Sequence, residues 1–178
     1  MKKTITLGGG CFWCTEAVYD MIEGIHSVTP GYMDGHIENP TYRDVCSGTS
    51  GHNEVIQIIY DNEVISLSEI LEIFWTAHDP TTLNRQGADK GTQYRSGIYY
   101  EEEQELPIIE QSIKEVGQAL WEDPIVTEAK PATSFYEAEV YHQDYYKRNS
   151  YVGYCQVVIN PKLNKVRQKF SNRIKTSV

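Results

Sequence analysis

The stretch Thr4-Ile5-Thr6-Leu7-Gly8-Gly9-Gly10-Cys11-Phe12-Trp13-Cys14 sets the start of the fold. Thr4 to Leu7 predicts a short strand, and the three glycines predict a turn after it. Apolar residues then recur at 3.6-residue spacing, which predicts a helix. Its buried face would carry Cys14, Ala17, Val18, Met21 and Ile22. Gly24 is predicted to end this helix, since glycine is common just past a helix C-terminus.

Cys11 follows the glycine turn at the start of the predicted helix. Unpaired N–H groups and a partial positive charge at a helix N-terminus favour a thiolate. Such a position can lower a cysteine pKa from its usual ~8.5 toward neutrality. We therefore predict a reactive thiol at Cys11, with burial as a small apolar residue as the alternative. For Cys14, one turn further on the apolar face, burial and chemistry are equally good interpretations.

Strands and helices alternate along the rest of the chain. The apolar pattern predicts strands at 25–30, 54–60, 97–100 and 125–130, and helices at 66–78, 106–120 and 138–148. Ser66 and Glu69 form a capping box for the first of these helices. Long loops at 31–53 and 81–96 are typical of functional segments. The order predicts an α+β sandwich with helices on one face of a mixed sheet.

The composition indicates an ordinary globular protein of one domain, residues 1–178. Residues 156–178 would be a C-terminal extension with a terminal helix whose lysines face solvent. The net charge of -9 argues against a nucleic-acid binder. We expect no membrane association, because no apolar run approaches the ~20 residues of a membrane span. With no secretion signal recognised, the chain is expected to be cytoplasmic, without a disulfide framework.

Short motifs follow one another along most of the chain. The series starts with Gly10-Cys11-Phe12-Trp13. It continues with Gly31-Tyr32, Asn39-Pro40-Thr41-Tyr42, Cys46-Ser47-Gly48, Gly51-His52-x-Glu54, His78-Asp79-Pro80-Thr81, Arg85-Gln86-Gly87, Gly91-Thr92-Gln93-Tyr94-Arg95-Ser96, Tyr141-His142-Gln143 and Gly153-Tyr154-Cys155. From residue 8 to about 155, these motifs resemble, in order, the A-type peptide methionine sulfoxide reductases. Only the tail lies outside the resemblance.

The resemblance implies a ferredoxin-like two-layer sandwich and an enzyme that repairs proteins after oxidative stress. Its substrate would be methionine sulfoxide, free or within proteins, with the S epimer preferred. The family implies a thioredoxin-like protein as the reductant. We expect no cofactor and no metal, and we expect a monomer.

The resemblance also implies roles for individual residues. Cys11 resembles the nucleophile, and Phe12 and Trp13 resemble the wall that holds the sulfoxide's methyl group. The family's groups that hydrogen-bond or protonate the sulfoxide oxygen are matched here by Tyr42, Glu54 and Tyr94. A supporting acidic residue of the family is matched by Asp89. Taken singly, either tyrosine would be interpreted as a packing residue, and Glu54 as a solvated charge at a strand end.

The chemistry of a sulfoxide explains why these groups belong together. Its oxygen leaves poorly unless it is protonated while sulfur is attacked. A carboxylic acid among aromatic rings tends to have a raised pKa and can supply that proton. Tyrosine hydroxyls aimed at the oxygen would act like an oxyanion hole. Attack would leave a sulfenic acid on the nucleophile, which a second thiol converts to a disulfide.

Two cysteines are candidates for the second thiol. Cys155 matches a C-terminal position where many family members keep a recycling cysteine, and its Gly-Tyr context predicts a flexible loop. Cys14 is the alternative, but on the buried helix face it would be poorly exposed to a reductant. We therefore favour Cys155. Cys46 is interpreted as structural, and His52 and His142 as hydrogen-bonded structural residues.

Two other classes of protein remain as alternatives. Cys11-x-x-Cys14 has the spacing of a dithiol–disulfide carrier, which would tolerate loss of Glu54. A zinc-binding or protein-binding module would use the cysteines structurally, although no second close pair completes four ligands. Neither alternative accounts for the motifs around Tyr42, Glu54 and Tyr94.

Overall fold

Six strands form one mixed sheet in the computed structural model, which describes residues 1–176. Together with a separate two-stranded hairpin, the strands of the described residues are β1 Lys2–Gly9, β2 Ile25–Met33, β3 Asn53–Asp61, β4 Arg85–Gln86, β5 Asp89–Lys90, β6 Ser96–Tyr100, β7 Glu128–Pro131 and β8 Tyr136–Glu137. The sheet order is β7-β6-β1-β3-β2-β8, while β4 and β5 form a separate hairpin. Only the β6–β7 pair in this described sheet is parallel.

Helices connect and cover the strands. They are α1 Phe12–Asp20, α2 Tyr42–Cys46, α3 Leu67–Ala77, α4 Glu105–Ser112, α5 Gln118–Leu120, α6 Tyr145–Asn149 and α7 Asn160–Lys169. The predicted capping box is confirmed at α3, where the Ser66 hydroxyl and the Glu69 carboxylate each accept the other residue's backbone N–H. Within residues 1–176, no helix is both long and apolar enough to cross a membrane.

The two faces of the sheet are buried differently, because alternate side chains along a strand point to opposite faces. Ile5, Ile58 and Ile98 belong to the main core together with helix residues such as Phe74. Residues that point to the opposite face, including Val55 and Tyr99, pack in a smaller cluster. Phe135, from the segment between β7 and β8, covers that cluster. The helices therefore contribute to the larger of the two clusters.

The long loops predicted at 31–53 and 81–96 contain more regular structure than expected. Strand β2 continues to Met33 because it pairs with β3 as far as Asn53. Helix α2 has its own capping box, in which Thr41 and Asp44 exchange hydrogen bonds. The β4–β5 hairpin lies in the second loop. These short elements depend on pairing and capping, so an apolar pattern does not reveal them.

Two predicted elements in the second half of the chain differ from the structure, and one short strand was missed. The helix predicted at 138–148 is a 3-10 turn, Val140–His142, followed by α6. Asp144 interrupts it with φ +53°, a left-handed conformation that cannot continue a right-handed helix. The strand predicted at 125–130 is β7, which begins three residues later than predicted. Strand β8 was not predicted.

Cys155 does not lie in a flexible loop. It is buried and begins a π-helical turn, Cys155–Ile159, that leads directly into α7. Ile159, Leu163 and Val166 continue the buried face, so the cysteine is part of an apolar stripe. The predicted terminal helix is present as α7, and residues 177–178 of the predicted extension lie outside the described residues.

Candidate active site

Cys11 lies where the β1 strand turns into helix α1. Gly10 makes this turn with φ +90°, and a Cβ atom at Gly10 would lie 2.5 Å from the Gln86 side chain. Only glycine suits this backbone conformation and this close approach. Cys11 is then the residue before the first helical turn, where its carbonyl accepts the Cys14 N–H at 3.0 Å. The predicted placement at a helix start is confirmed.

The expected low pKa of Cys11 is not found. Burial raises the pKa of this thiol well above its ordinary value, and Cys14 and the Glu54 carboxylate raise it further. The pKa of Cys14 is instead lowered to about 7, first by a hydrogen bond from Cys11 and also by the charge of Lys162. At the helix start, desolvation and neighbouring negative charge outweigh the helix dipole.

Glu54 is a buried acid beside the nucleophile. It is the second residue of β3, 1% exposed, and its Oε1 accepts the Phe12 backbone N–H at 3.3 Å. Its Oε2 is buried and has no hydrogen-bond partner within residues 1–176. Burial raises the pKa of Glu54 to about 8, with the Asp89 charge adding to the rise. The carboxyl group therefore holds a proton at neutral pH.

Tyr42 and Tyr94 bring their hydroxyls to the same region from two separate segments. Tyr42 starts α2, and Tyr94 ends a 3-10 turn, Thr92–Tyr94. Burial raises the pKa of both tyrosines, and the Glu54 charge raises both further. Both hydroxyls thus remain protonated, and both tyrosines lie close enough to Glu54 for its charge to act on them.

An ion-pair network holds the turn that carries Tyr94. The Arg95 guanidinium lies 3.0 Å from Asp34 and 2.7 Å from Glu128. It also donates to the Gly51 carbonyl at 3.0 Å, three residues before Glu54. This arginine therefore ties together the segments that supply Tyr94 and Glu54. Because the guanidinium is largely buried and bonded on several sides, the network is rigid.

Aromatic rings surround the first turn of α1. The Trp13 indole stacks on Tyr145 with ring centroids 3.7 Å apart and 6° between planes. Its Nε1–H donates to His142 Nδ1 at 3.0 Å. Phe12 is buried and lies 5.1 Å from the His142 ring and 5.7 Å from Tyr32. Phe12 and Trp13 thus belong to a cluster of aromatic rings next to Cys11.

Asp89 belongs to the side of the site that faces Cys14. Its carboxylate accepts the Tyr154 hydroxyl at 2.8 Å, and that hydroxyl lies 3.6 Å from Cys14 Sγ. A cavity of about 240 Å³ is lined by Cys11, Cys14, Asp89, Tyr154, Val157 and Lys162. The structure therefore places both thiols of the Cys11-x-x-Cys14 motif at one cavity.

The remaining two cysteines are Cys46 and Cys155. All four cysteines are in the described part of the chain and are free thiols. Cys46 is exposed at the end of α2, close enough to Tyr42 for the two groups to shift each other's pKa. Burial raises the pKa of Cys155, and the nearby Cys14 charge raises it further.

Several residues at the site were not predicted from sequence. Glu139 accepts the Tyr32 hydroxyl and the Tyr42 backbone N–H, each at 2.8 Å, and so fixes the start of α2. Tyr145 stacks on Trp13, and the Tyr154 hydroxyl donates a hydrogen bond to Asp89. Tyr154 and His142 are in motifs that the sequence had offered, whereas no local pattern distinguishes Glu139 or Tyr145.

Comparisons with known proteins identify the family of this chain. The family described as "Peptide methionine sulfoxide reductase" matches residues 3–174. Peptide methionine sulfoxide reductase MsrA of Saccharolobus solfataricus is 55% identical over 173 residues, 97% of each chain. Reduced Mxr1 from Saccharomyces cerevisiae superposes with a TM-score of 0.79 at 39% identity, covering 86% of this chain and 89% of that one.

A second yeast structure shows Mxr1 in complex with Trx2. It matches at 30% identity with a TM-score of 0.56, and covers 81% of this chain and 84% of that chain. The family match spans nearly the whole chain, and the relative above is more than half identical over almost its full length. This chain therefore belongs to the peptide methionine sulfoxide reductase family.

Proposed function

We propose that Cys11 carries the methionine sulfoxide reductase activity of this chain, with Glu54 as the proton donor and Tyr42 and Tyr94 as hydrogen-bond donors to the sulfoxide oxygen. The observation that carries the proposal is the state of Glu54. It is a buried acid next to the nucleophile, with a pKa near 8 and one carboxyl oxygen without a partner in the described residues. Such an acid is suited to protonate an oxygen atom on a bound molecule.

In the proposed reaction, Cys11 sulfur attacks the sulfoxide sulfur while Glu54 protonates the oxygen. Attack forms a bond between the two sulfur atoms. That bond and the S–O bond then break as the protonated oxygen moves to the Cys11 sulfur, so Cys11 becomes a sulfenic acid and methionine leaves. Sulfur of the substrate is reduced by two electrons and Cys11 is oxidised by two. Because burial raises the pKa of Cys11, the thiol must lose its proton at the site. Cys14, which lines the same cavity as Cys11, is the proposed acceptor.

Phe12 and Trp13 would hold the methyl group, and we propose that both free and protein-bound methionine sulfoxide are substrates. The S epimer is expected from the family. The test is an activity assay on the two resolved epimers with a thioredoxin system. We expect turnover of the S epimer and at least ~10²-fold less with the R epimer, because donors fixed around one oxygen position reject the mirror arrangement. Equal rates would contradict this account of the pocket.

For recycling, the geometry now favours Cys14 over Cys155. Cys14 lies one helical turn from Cys11 and lines the same cavity, and its pKa of about 7 keeps much of it as thiolate. The flexibility that favoured Cys155 is absent, since Cys155 is buried in a helical turn. We therefore propose that Cys14 condenses with the Cys11 sulfenic acid, and that a thioredoxin-like protein reduces the disulfide. The Mxr1–Trx2 complex supports that class of reductant.

Replacing each candidate thiol separates the two possibilities. Cys14→Ser should reduce one equivalent of methionine sulfoxide and then stall with thioredoxin, because no thiol lies ready to condense with the sulfenic acid. Cys155→Ser should turn over within about twofold of the wild-type rate. Peptide mapping of the oxidised wild-type enzyme should find a Cys11–Cys14 bridge. A Cys11–Cys155 bridge, with Cys14→Ser fully active, would return the role to Cys155.

The proposal also covers the fold, the oligomeric state and the cellular location of the protein. The central strand order β6-β1-β3-β2, with α1 between β1 and β2 and α3 between β3 and β6, supports a ferredoxin-like sandwich with helices on one face. The proposed site is built from one chain, which supports a monomer. Free thiols suit a reducing compartment, so we propose that the enzyme works in the cytoplasm.

A further inference from the structure

Three carboxylates meet between helix α1 and the segment that leads into α6. Glu16 and Asp20 are one helical turn apart on α1, and Asp144 is 128 residues from Glu16 along the chain. One oxygen atom of each carboxylate lies within 4.8 Å of the other two. The three residues line a cavity of about 170 Å³, to which Tyr146 and Leu163 also contribute. No step of the reaction proposed above uses these carboxylates.

Glu16 is the buried member of the cluster, with 2% of the residue exposed. Its Oε2 accepts the Asp144 backbone N–H at 2.9 Å, whereas its Oε1 is buried and has no hydrogen-bond partner among the described residues. A buried polar atom without a partner costs free energy. Burial raises the pKa of Glu16 to about 7, and the charges of Asp20 and Asp144 raise it further. Oε1 is therefore an acceptor that a positively charged ligand in this cavity could use.

The side chain of Asp144 belongs to this cluster rather than to helix α6. Asp144 precedes the first residue of α6, a position where aspartate usually accepts a backbone N–H from the first helical turn. Its side chain makes no such hydrogen bond, and the residue has a left-handed backbone with φ +53°. In this arrangement its N–H bonds Glu16 while its carboxylate lies beside those of Glu16 and Asp20.

Lys147 balances this negative charge only in part. Its Nζ lies 3.5 Å from the Asp20 carboxylate and 3.9 Å from that of Asp144, and its side chain is 64% exposed. Exposed ion pairs of this kind contribute little to stability. Among residues 1–176, neither Lys147 nor Arg167, which also lines the cavity, forms an ion pair with Glu16. The buried oxygen of Glu16 therefore has no counter-charge from these two side chains.

We propose that Glu16, Asp20 and Asp144 form a binding site for a hard divalent cation, Ca²⁺ or Mg²⁺. All three donors are carboxylate oxygens, which these ions prefer, whereas zinc and copper favour nitrogen and sulfur donors. Water in the cavity would complete the coordination shell. The ion would displace the Lys147 ammonium and would join α1 to the start of α6. The inference is independent of the proposed function, because that reaction uses none of the three carboxylates.

The test is a calorimetric titration of the reduced full-length chain with CaCl₂ and, separately, with MgCl₂. The pH is kept above the Glu16 pKa of about 7. Salt at about 0.15 M screens non-specific attraction to the net charge of -9. We expect one ion per chain, with a Kd on the order of 10⁻⁴–10⁻³ M, the range of weak calcium sites. At a tenfold excess over Kd, the melting temperature should rise by about 3 °C.

Asp144→Asn keeps the shape of the side chain and removes one charged ligand. It should weaken binding at least about tenfold, because affinity follows the number of charged ligands. The matched control is Asp123→Asn, which removes the same charge from an exposed residue outside the cavity and should bind as the wild type does. Lys147→Gln should tighten binding about threefold, since the ion no longer displaces an ammonium group.

The Lys147 variant separates a cation site from a cluster that only pairs with this lysine. If pairing is the only role, Lys147→Gln lowers the melting temperature and binds neither ion, and the proposal fails. Binding that is unchanged in Asp144→Asn, or no saturable binding of either ion up to about 10 mM, tenfold above the expected Kd, would also overturn it. If Asp144→Asn does not fold, Asp20→Asn gives the same comparison, because the Asp20 side chain is 22% exposed.

Discussion

Cys11→Ser should abolish methionine formation, even in a stoichiometric reaction with no added reductant. A serine hydroxyl stays protonated in this buried site, where even the Cys11 thiol has a raised pKa. A serine hydroxyl is also a far weaker nucleophile toward sulfur than a thiolate, so the substitution removes the attacking group. The loss should reach the detection limit for both free and peptide-bound methionine sulfoxide. Methionine is measured by chromatography after one equivalent of substrate has been added.

The matched control for this prediction is Cys46→Ser. Cys46 is exposed on α2, and a serine there keeps a small polar side chain of similar size. This variant should still yield about one methionine per chain in the absence of reductant. If Cys11→Ser also yields one methionine per chain, another residue is the nucleophile.

Glu54→Gln should slow reduction by ~10²–10⁴-fold, the usual scale for a lost general acid. Glutamine keeps the shape and can still accept the Phe12 N–H, but it has no acidic proton to give to the sulfoxide oxygen. Glu105→Gln is a matched control, since Glu105 is also buried and accepts backbone N–H groups, far from Cys11. A dithiol carrier would tolerate the loss of Glu54, so this variant also separates the enzyme from that alternative.

The pH dependence of the wild-type enzyme follows from the same carboxyl group. With a pKa of about 8, Glu54 is protonated below that pH and loses its proton above it. The rate of methionine formation in a single turnover should therefore fall as the pH rises through about 8. In Glu54→Gln this fall should be absent. Near wild-type rates for Glu54→Gln from pH 5 to 9 would show that the proton comes from another group.

Local sequence patterns predicted the elements that form the frame of the fold. The strand–glycine–helix start, the capping box at Ser66 and the terminal helix around Leu163 all depend on neighbours within a few residues. The break at Asp144 and the pairing of β8 depend on contacts with distant segments. Gly31 and Glu137, for example, come together only through the β2–β8 pair.

The site shows the same division. Motifs identified Cys11, Glu54 and the two tyrosines, because each lies in a short stretch with a distinctive spacing. Glu139 and His142 act through partners about 100 residues away, and neither contact follows from spacing. The pKa of Cys11 was predicted in the wrong direction, because helix position is local information and desolvation depends on the whole fold.

The assignment of Cys11 is tested most directly by trapping its oxidised form. A Cys14→Ser/Cys155→Ser double variant, treated with one equivalent of methionine sulfoxide and then with dimedone, should release one methionine per chain. Mass spectrometry should find the dimedone adduct on Cys11, because no adjacent thiol remains to consume the sulfenic acid. Release of methionine with Cys11 unmodified, or with the adduct on Cys46, would contradict the account.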